Sequence, residues 1–522
     1  MVTVTSSPAV IRQDPRRWWA LAALVASMLV LGFDMTILNV ALPTMAGQLD
    51  ASTGEQQWMA DGYIVVFAAL MLPAGLLGDR FGRRRMLITG LGIFLAGSLI
   101  GTLVDSVELV VVARAVMGMG GALVMPLAMA VLPALFAPGE RTKAIGIVSA
   151  ASALGAPLGP IVGGWLLDHF WWGSIFLINV PMVAIGITAC VFLLPETTDP
   201  SPPKVDATST ALTAAGLGTL IYAIIEAPVR GWGDPLILCM LGGAAVLVAA
   251  LVLRERRQTR PMLDMSLLRN RGFLLNTIAA TLVMFVLSGL MFVLPQYLQA
   301  VLGHDAFGTG VRMLPMMGGL LVAARGAEPV VRKFGPRAVI SAGLVVLAFA
   351  AILGSRTTAE SGYGFTALWL TVAGLGFGFA VVPSMDSALG ALPVERAGSG
   401  AGLLLTVRQV GSAVGIALLG SLLSGVYVDR LGSGGVIGTL PDAAADTAGE
   451  SVVAAHAVAE RLGVPGLVDS ANEAYVHGMV TVLLVSGIAA LVTALLVAAL
   501  LPKAAPPPGD ADMAPRTEDA RQ

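Results

Sequence analysis

An all-α, polytopic membrane protein of about fourteen transmembrane helices is the fold class this sequence predicts, on three observations. The chain has 522 residues, of which 56% are hydrophobic and only 12% charged; soluble domains carry roughly 25% charged residues. One water-soluble core does not bury that much apolar surface. The apolar residues fall in stretches near the ~20 residues that cross a bilayer as a helix. Lysine and arginine crowd into every second connection between those stretches, as the positive-inside rule requires of cytoplasmic loops.

The stretches run near 18–40, 57–78, 86–104, 108–135, 144–167, 174–195, 210–227, 235–253, 272–296, 311–331, 337–354, 366–391, 399–424 and 477–501. Arg16 and Arg17 precede the first, which continues from Trp18 to about Val40 without a small-residue cleavage site. It therefore reads as a retained helix, not a signal peptide. With the N-terminus inside, the clusters Arg80–Arg85, Arg254–Arg260, Arg269–Arg271 and Arg332–Arg337 are all cytoplasmic. Only Arg230, Arg356, Arg430 and Arg461 face outward. A miscounted span would reverse the pattern downstream, so an even count and two cytoplasmic termini are expected. The membrane is then the cytoplasmic one, crossed many times. The tail 502–522 is rich in Pro, Asp and Glu and is expected to be disordered.

Several function classes are disfavoured. The formal net charge is −2, which offers no signal for nucleic acid. Cys190 and Cys239 lie within spans and read as packing thiols, with no disulfide or zinc framework. His169, His304, His456 and His477 are scattered in or beside loops, so no metal site is expected. No Gly-x-x-x-x-Gly-Lys-Ser/Thr phosphate loop occurs, against an ATP-driven pump. No nucleophile elbow or His/Cys/Asp cluster suggests an enzyme. No cofactor is expected, and the driving force would be an ion gradient.

The chain also repeats itself. Phe81-Gly82 ends the second span and Phe334-Gly335 the tenth. Gly118-Met119-Gly120 with Pro126 echoes Gly376-Phe377-Gly378 with Pro383. Gly155 and Gly159 in the fifth span echo Gly411 and Gly415 in the thirteenth. An offset of eight spans implies two six-helix halves with two helices inserted between them. The expected organisation is a cytoplasmic N-terminus 1–17, an N-terminal bundle 18–195, a linker with the inserted helices 196–260, and a C-terminal bundle 261–501, then the tail. Such repeats underlie many secondary transporters, with the substrate site between the halves.

Asp34 and Asp61 sit inside the first two spans, and Arg114 about a quarter of the way into the fourth. Ionisable groups at membrane depth are costly and usually face a partner, a polar cavity or an ion path. Asp34 is the best proton-carrier candidate; its competing role is structural, capping a break near Asn39 or Pro43. Asp61 is read either as a proton or cation site or as a solvated helix end. The second loop, Gly75-Leu-Leu-Gly-Asp79-Arg80-Phe-Gly82-Arg83-Arg84-Arg85, is either a topogenic basic loop or an ionic latch between two bundles. In the fifth span Gly155, Gly159 and Gly163 are four apart and share one helix face, where small residues admit another helix. Pro157 and Pro160 remove backbone donors and bend the helix. That span is either ordinary packing or a pliable helix between the halves.

The Asp79 loop resembles the signature loop of the major facilitator superfamily. Phe33-Asp34-Met35-Thr36-Ile37-Leu38-Asn39-Val40-Ala41-Leu42-Pro43 resembles the first-helix signature of its fourteen-helix drug:proton antiporters. Arg114 with Gly118 is similar to the fourth-helix motif, and Gly155-Ala-Pro157-Leu-Gly159-Pro160-Ile-Val-Gly163-Gly164 to the fifth-helix antiporter motif. Phe176-Leu-Ile-Asn179-Val-Pro181 and Pro261–Phe273 also fit. The resemblance covers roughly residues 15–503 and extends to actinobacterial multidrug and quaternary-ammonium exporters. It implies the major facilitator fold, Arg114 near Asp34 assisting proton transfer, Asp61 serving lipophilic cations, and a latch formed by Gly75, Asp79, Arg80, Gly82 and Arg83.

The thirteenth span departs from dication exporters, carrying Arg408 where those are acidic. Asp386 either pairs with Arg408 or is a second proton site. Arg325 and Glu328 are placed to pair in the tenth span. Asp61, Asp386, Arg408 and Glu226 are the candidate substrate-binding residues, with Met35, Met117, Met125, Met291, Met316, Met317 and Met385 as adaptable walls or, more often, plain core. The outer loop 425–476, with one or two short helices, is either a lid or an acidic insertion. The functional expectation is proton-coupled efflux of amphipathic or cationic drugs by a monomer in the bilayer; a dedicated exporter of one natural product is the alternative. An uptake permease is disfavoured by the antiporter-like motif.

Overall fold

The computed structural model describes residues 17–136, 138–197, 206–258, 265–359, 361–392 and 397–502. Among them there is no strand. In chain order the helices are α1 (Arg17–Leu49), α2 (Thr53–Phe81), α3 (Arg83–Leu103), α4 (Val107–Leu135), α5 (Pro138–His169), α6 (Ser174–Leu177), α7 (Asn179–Leu193), α8 (Ala207–Arg230) and α9 (Pro235–Arg257). They continue as α10 (Arg271–Gln296), α11 (Ala306–Arg312), α12 (Leu314–Phe334), α13 (Pro336–Gly354), α14 (Tyr363–Gly390), α15 (Ala397–Ser433), α16 (Asp442–Glu450), α17 (Val452–Leu462) and α18 (Pro465–Leu500).

Twelve spans among the described residues are long and apolar enough to cross a membrane, or thirteen if the bent α2 counts as one. The expected span 144–167 falls within α5, a helix of 32 residues that is not among those twelve or thirteen. The expected disordered tail and most of the N-terminus lie outside the described residues.

Local signals explain the boundaries. Ser52 and Glu55 form a reciprocal capping box that starts α2: the Ser52 amide donates to Glu55 Oε2 (2.8 Å) and the Glu55 amide to Ser52 Oγ (3.3 Å). Pro73 accompanies a 54° bend in α2, as expected where a backbone donor is lost. Gly82 (φ +105°) and Gly335 (φ +80°) end α2 and α12 in conformations that favour glycine. Their amides close the last turns on Gly78 and Val331. The paired Phe-Gly signals thus have one cause, a tight cap before the next antiparallel helix.

The repeat is visible in packing, with one correction of register. A Cβ on Gly120 would stand 2.5 Å from Phe94 N of α3, and one on Gly376 would stand 2.6 Å from Leu347 N of α13. Gly118 abuts the Tyr63 carbonyl of α2, as Gly374 abuts the Met316 carbonyl of α12. The equivalent of Gly118-Met119-Gly120 is therefore Gly374-Leu375-Gly376, two residues before the expected match. Gly155 and Gly411 correspond as expected, one against α1 and the other against Thr281 of α10.

Helices α8 and α9 pack on each other, and α8 lies against α2 and α15. The Asp206 carboxylate caps α8 through the Thr208 and Ser209 amides. It also accepts from Arg254 Nε (3.0 Å) near the end of α9. The outer loop is shorter than expected: α15 continues to Ser433 and α18 begins at Pro465, leaving α16 and α17 as its two short helices.

The described hydrogen bonds joining α1–α7 to α10–α18 gather at one end of the bundle. Gln57 of α2 donates to the Ile416 and Ala417 carbonyls of α15 (3.0 and 2.8 Å). Gln299 donates to the Val40 carbonyl (2.8 Å) and Thr53 to the Glu450 carbonyl (2.9 Å). Asp168 accepts from the Ala306 and Phe307 amides. This end, away from the arginine-rich loops at Phe81 and Phe334, is closed.

Candidate functional site

The site is built on α1. Asp34 is 1% exposed and Arg114 of α4 is 2% exposed, so both charges are withdrawn from solvent. Arg114 Nη1 donates to Asp34 Oδ2 at 2.7 Å. Asn179 Nδ2, at the start of α7, donates to Asp34 Oδ1 (3.2 Å) and to Ser98 Oγ of α3 (3.1 Å). The guanidinium also donates through Nε to the Met59 carbonyl (3.3 Å) and lies over the Tyr63 ring at 4.6 Å. Helices α4 and α7 thus converge on one carboxylate of α1, and α3 joins the network through the Asn179 amide. The competing expectation, Asp34 as cap of a helix break, is not what the structure places there: α1 runs unbroken from Arg17 to Leu49, with Pro43 inside it.

A cavity of about 210 Å³ adjoins this network, lined by Thr36, Asn39, Tyr63 and Arg114 on one side and Met284, Ser288, Met291, Gln409 and Ser412 on the other. Its walls come from α1, α2, α4, α10 and α15, so it lies between the two groups of helices. Apolar walls with a few convergent polar groups are the usual composition of a small-molecule site. Met35 and Met291 reach the cavity, whereas Met117 and Met316 are core. Of the ion pair, Arg114 faces the cavity and Asp34 stands behind it.

The four expected substrate-binding residues do not line this cavity. Asp61 is fully buried instead of being a solvated helix end. Trp58, Asp61, Val65 and Ala68 are spaced by three and four and share a face of α2. Val65 and Ala68 pack against Leu217 and Ile221 of α8 and Ala413 and Ala417 of α15. Neither Asp61 oxygen meets a hydrogen-bond donor among the described residues. Asp386 and Arg408 form no ion pair: Arg408 Nη1 donates to Met385 Sδ (3.0 Å) and its Nε is buried without a partner. Glu226 pairs with Arg230 one turn on (3.0 Å) at an exposed helix end. Glu328 pairs with Arg332, not Arg325, which puts the i,i+4 geometry ahead of the expected i,i+3 one.

In the basic loop Asp79 Oδ1 accepts from Arg83 Nη2 (2.8 Å), and Arg83 Nη1 donates to the Ala130 carbonyl of α4 (3.0 Å). Arg80 lies over the Phe81 ring at 5.3 Å, and Gly75 stands 4.0 Å from Pro126 by the position its Cβ would take. The loop is tied to its own bundle here. The glycine face of α5 also differs from the interface reading. Gly155, Gly159 and Gly163 lie against Gly32, Phe33, Thr36 and Ile37 of α1, inside one bundle. Pro160, with the Ile161 amide, and Gly164 meet the other bundle, at Gly310 and Ala306–Phe307 of α11. The side chain of Pro157 lies outside the described residues. Among those described, no group of three or more His, Cys, Asp or Glu residues is placed to hold a metal ion.

Sequence reasoning named no role for Asn179 or Ser98 and overlooked Gln57, Asp168, Gln409 and Ser412. The sole usable signal was polarity within apolar spans.

Comparison with known proteins agrees with this architecture. Residues 24–416 match the family model described as Major Facilitator Superfamily. The chain is 33% identical over 490 residues to the tetracenomycin C resistance and export protein of Streptomyces glaucescens, covering 92% of this chain and 90% of that one. It is 32% identical over 503 residues to the multidrug efflux pump LfrA of Mycolicibacterium smegmatis, covering 95% and 98%. Among solved structures, a bacterial homologue of the human lysosomal transporter Spinster, inward-facing and unoccupied, superposes with a TM-score of 0.66 at 18% identity, covering 93% of this chain and 97% of that one. With a family match across most of its length and these relatives at one-third identity, the chain belongs to the Major Facilitator Superfamily.

Proposed function

We propose that this chain is a proton-coupled antiporter that exports amphipathic drugs or antibiotics across the cytoplasmic membrane by alternating access. The observation that carries the reading is the buried Asp34–Arg114 pair beside a cavity between two packed bundles. A proton on Asp34 removes the charge that holds Arg114, and Arg114 is part of the cavity wall. Proton uptake and the state of the substrate site are thereby linked through one bond. The fully buried, unpartnered Asp61 is a second place where a proton or a cation is accommodated.

The closed end faces outward in this reading, the arginine-rich loops lie in the cytoplasm with both termini, and the cavity is loaded from inside. The bundles 18–195 and 261–501 rock about it, with 196–260 as linker and inserted pair. The Asp79–Arg83 loop latches the opposite, outward-open state. The unit is a monomer, takes no cofactor and is driven by the proton gradient. The names of the efflux relatives support export of small antibiotics. No carboxylate lines the described cavity, which favours a narrower reading as well: a dedicated exporter whose substrate needs no counter-charge.

The test is ethidium efflux in energised everted vesicles. An imposed pH gradient drives transport by the parent protein, and Asp34→Asn abolishes it. Transport that proceeds without any gradient, or that survives Asp34→Asn, rules the reading out. No movement of ethidium, with a natural product moved instead, selects the dedicated exporter.

A further inference from the structure

Pro160, Gly164 and Asp168 are spaced by four along α5, so they form a single stripe on the helix. This stripe is offset from the Gly155, Gly159 and Gly163 face, which is occupied by α1. All three of its residues meet the first turns of α11, in the opposite bundle. A Cβ on Gly310 would stand 2.6 Å from the Pro160 carbonyl carbon, and a Cβ on Gly164 would stand 2.5 Å from Phe307 Cα. The two backbones therefore touch with no side chain between them. One turn farther out, Asp168 Oδ1 accepts from the Ala306 amide (3.2 Å) and Oδ2 from the Phe307 amide (3.1 Å). The next amide, Gly308, donates to Asp305 of its own segment (2.7 Å). The donors that α11 leaves unsatisfied at its start are thus met partly by a carboxylate from the other bundle.

Asp168 itself is exposed at the end of α5, so burial does not explain its place. Both its oxygens are used on backbone donors that move with α11. Bonds from amides to an ionised carboxylate are stronger than neutral ones, yet two of them at an exposed site remain breakable.

We propose that Asp168 is a charged latch of the gate at the closed end, beside the neutral bonds of Gln57, Thr53 and Gln299: it holds α5 to α11 while the transporter is open on the arginine-rich side, and it lets go when the bundles rock. The smooth Pro160–Gly164 contact sets where the backbones meet, and Asp168 supplies a carboxylate bond across it that is released as the bundles part. The proposal rests on the alternating-access reading above, and its test measures distances, not transport.

The measurement is double electron–electron resonance on protein carrying Cys239→Ser, with the buried Cys190 left in place. One labelled pair, Trp171→Cys and Val311→Cys, spans the closed end; a second pair, Arg85→Cys and Lys333→Cys, spans the opposite end. Removing two charge-assisted bonds is expected to raise the ratio of gate-open to gate-closed molecules roughly tenfold in Asp168→Ala. The distance between the first pair then lengthens as that between the second shortens. Asp168→Asn, which keeps the shape and one acceptor, gives a smaller shift and serves if the alanine variant does not fold. Distance distributions equal to the parent's in the folded variant overturn the proposal. A shifted gate in a protein that moves no substrate leaves the latch standing and removes the efflux reading.

Discussion

Replacing Asp34 removes one half of an ion pair whose side chains are 2–3% exposed. At an effective dielectric of about 20, unit charges ~4 Å apart attract by ~4 kcal/mol. Desolvation offsets much of that in the intact pair. It offers no offset to a guanidinium left behind, and breaking a buried pair by removing one partner typically costs ~3–5 kcal/mol. Arg114 keeps the Met59 carbonyl and the Tyr63 ring in the variant, so Asp34→Ala is expected near the lower figure. Asp34→Asn retains an acceptor oxygen and costs less, about 2 kcal/mol. The pair is isolated by a double-mutant cycle of Asp34→Ala and Arg114→Ala, read as unfolding midpoints in mixed micelles of rising dodecyl sulfate content. The double variant is expected to lose at least ~2 kcal/mol less than the two singles together. Additive losses would show that the two residues act independently, and the coupling argument would fail with them.

Three further outcomes follow from the packing and the loop electrostatics. Gly118→Ala drives a methyl into the Tyr63 carbonyl of α2 and should destabilise by ~1–3 kcal/mol in the same micelle titration; an unchanged midpoint refutes the close approach. The Arg254 hydrogen bond, joined by those from Ser209 and Gln258, holds the Asp206 carboxyl well below the ordinary carboxylate range. Its contribution is therefore complete above the unfolded value near 3.9 and is lost progressively as pH falls from there through the lower folded value; the midpoint difference between parent and Asp206→Asn should stay flat from pH 8 to 5 and shrink below about pH 4. Glu450 is pushed the other way, first by burial and then by Glu55, Asp50 and Asp446. A raised carboxyl weakens the fold once it ionises, so Glu450→Gln should stabilise at pH 7 by about 0.5 kcal/mol or less at this exposed position, with the gain vanishing as pH falls below about 4; destabilisation at pH 7 refutes the repulsion.

What the sequence made legible, and what it hid, divides along one physical line. Span positions, caps and the repeat are local properties: twenty apolar residues, a Phe-Gly turn and a glycine pair are read without knowing any neighbour. The Asp34–Arg114 contact was expected from the family resemblance; the residues alone said only that a charge at membrane depth needs a carboxylate, carbonyl or water partner. The Asn179 bond to Asp34 was not, since an amide in an apolar helix has many ways to be satisfied. For Asp386 two roles stayed open, a pair with Arg408 or a second proton site, and the structure turns the Arg408 guanidinium to Met385 instead of to Asp386. Rotation of a helix about its axis is fixed by packing over its whole length, and a charge pair at one level does not decide it.

The α5 segment shows how such a rotation redistributes roles within one motif. Its glycines were read as one face serving one interface, whereas the helix carries two stripes set one residue apart. At 100° per residue, a shift of one position moves a side chain from α1 to α11. Gly155, Gly159 and Gly163 let two backbones of a single bundle approach within van der Waals contact, which makes that joint rigid. Pro160, Gly164 and Asp168 face the other bundle through contacts that hold in one state. A helix that is fixed along one face and releasable along the next moves with its own bundle and parts from the opposite one. Gly163→Val should therefore damage folding, because Ile37 of α1 already abuts the glycine. Asp168→Asn should leave folding intact and shift the gate. Equal effects of both on unfolding would mean that the two stripes do the same work, and the division of labour along α5 would be wrong.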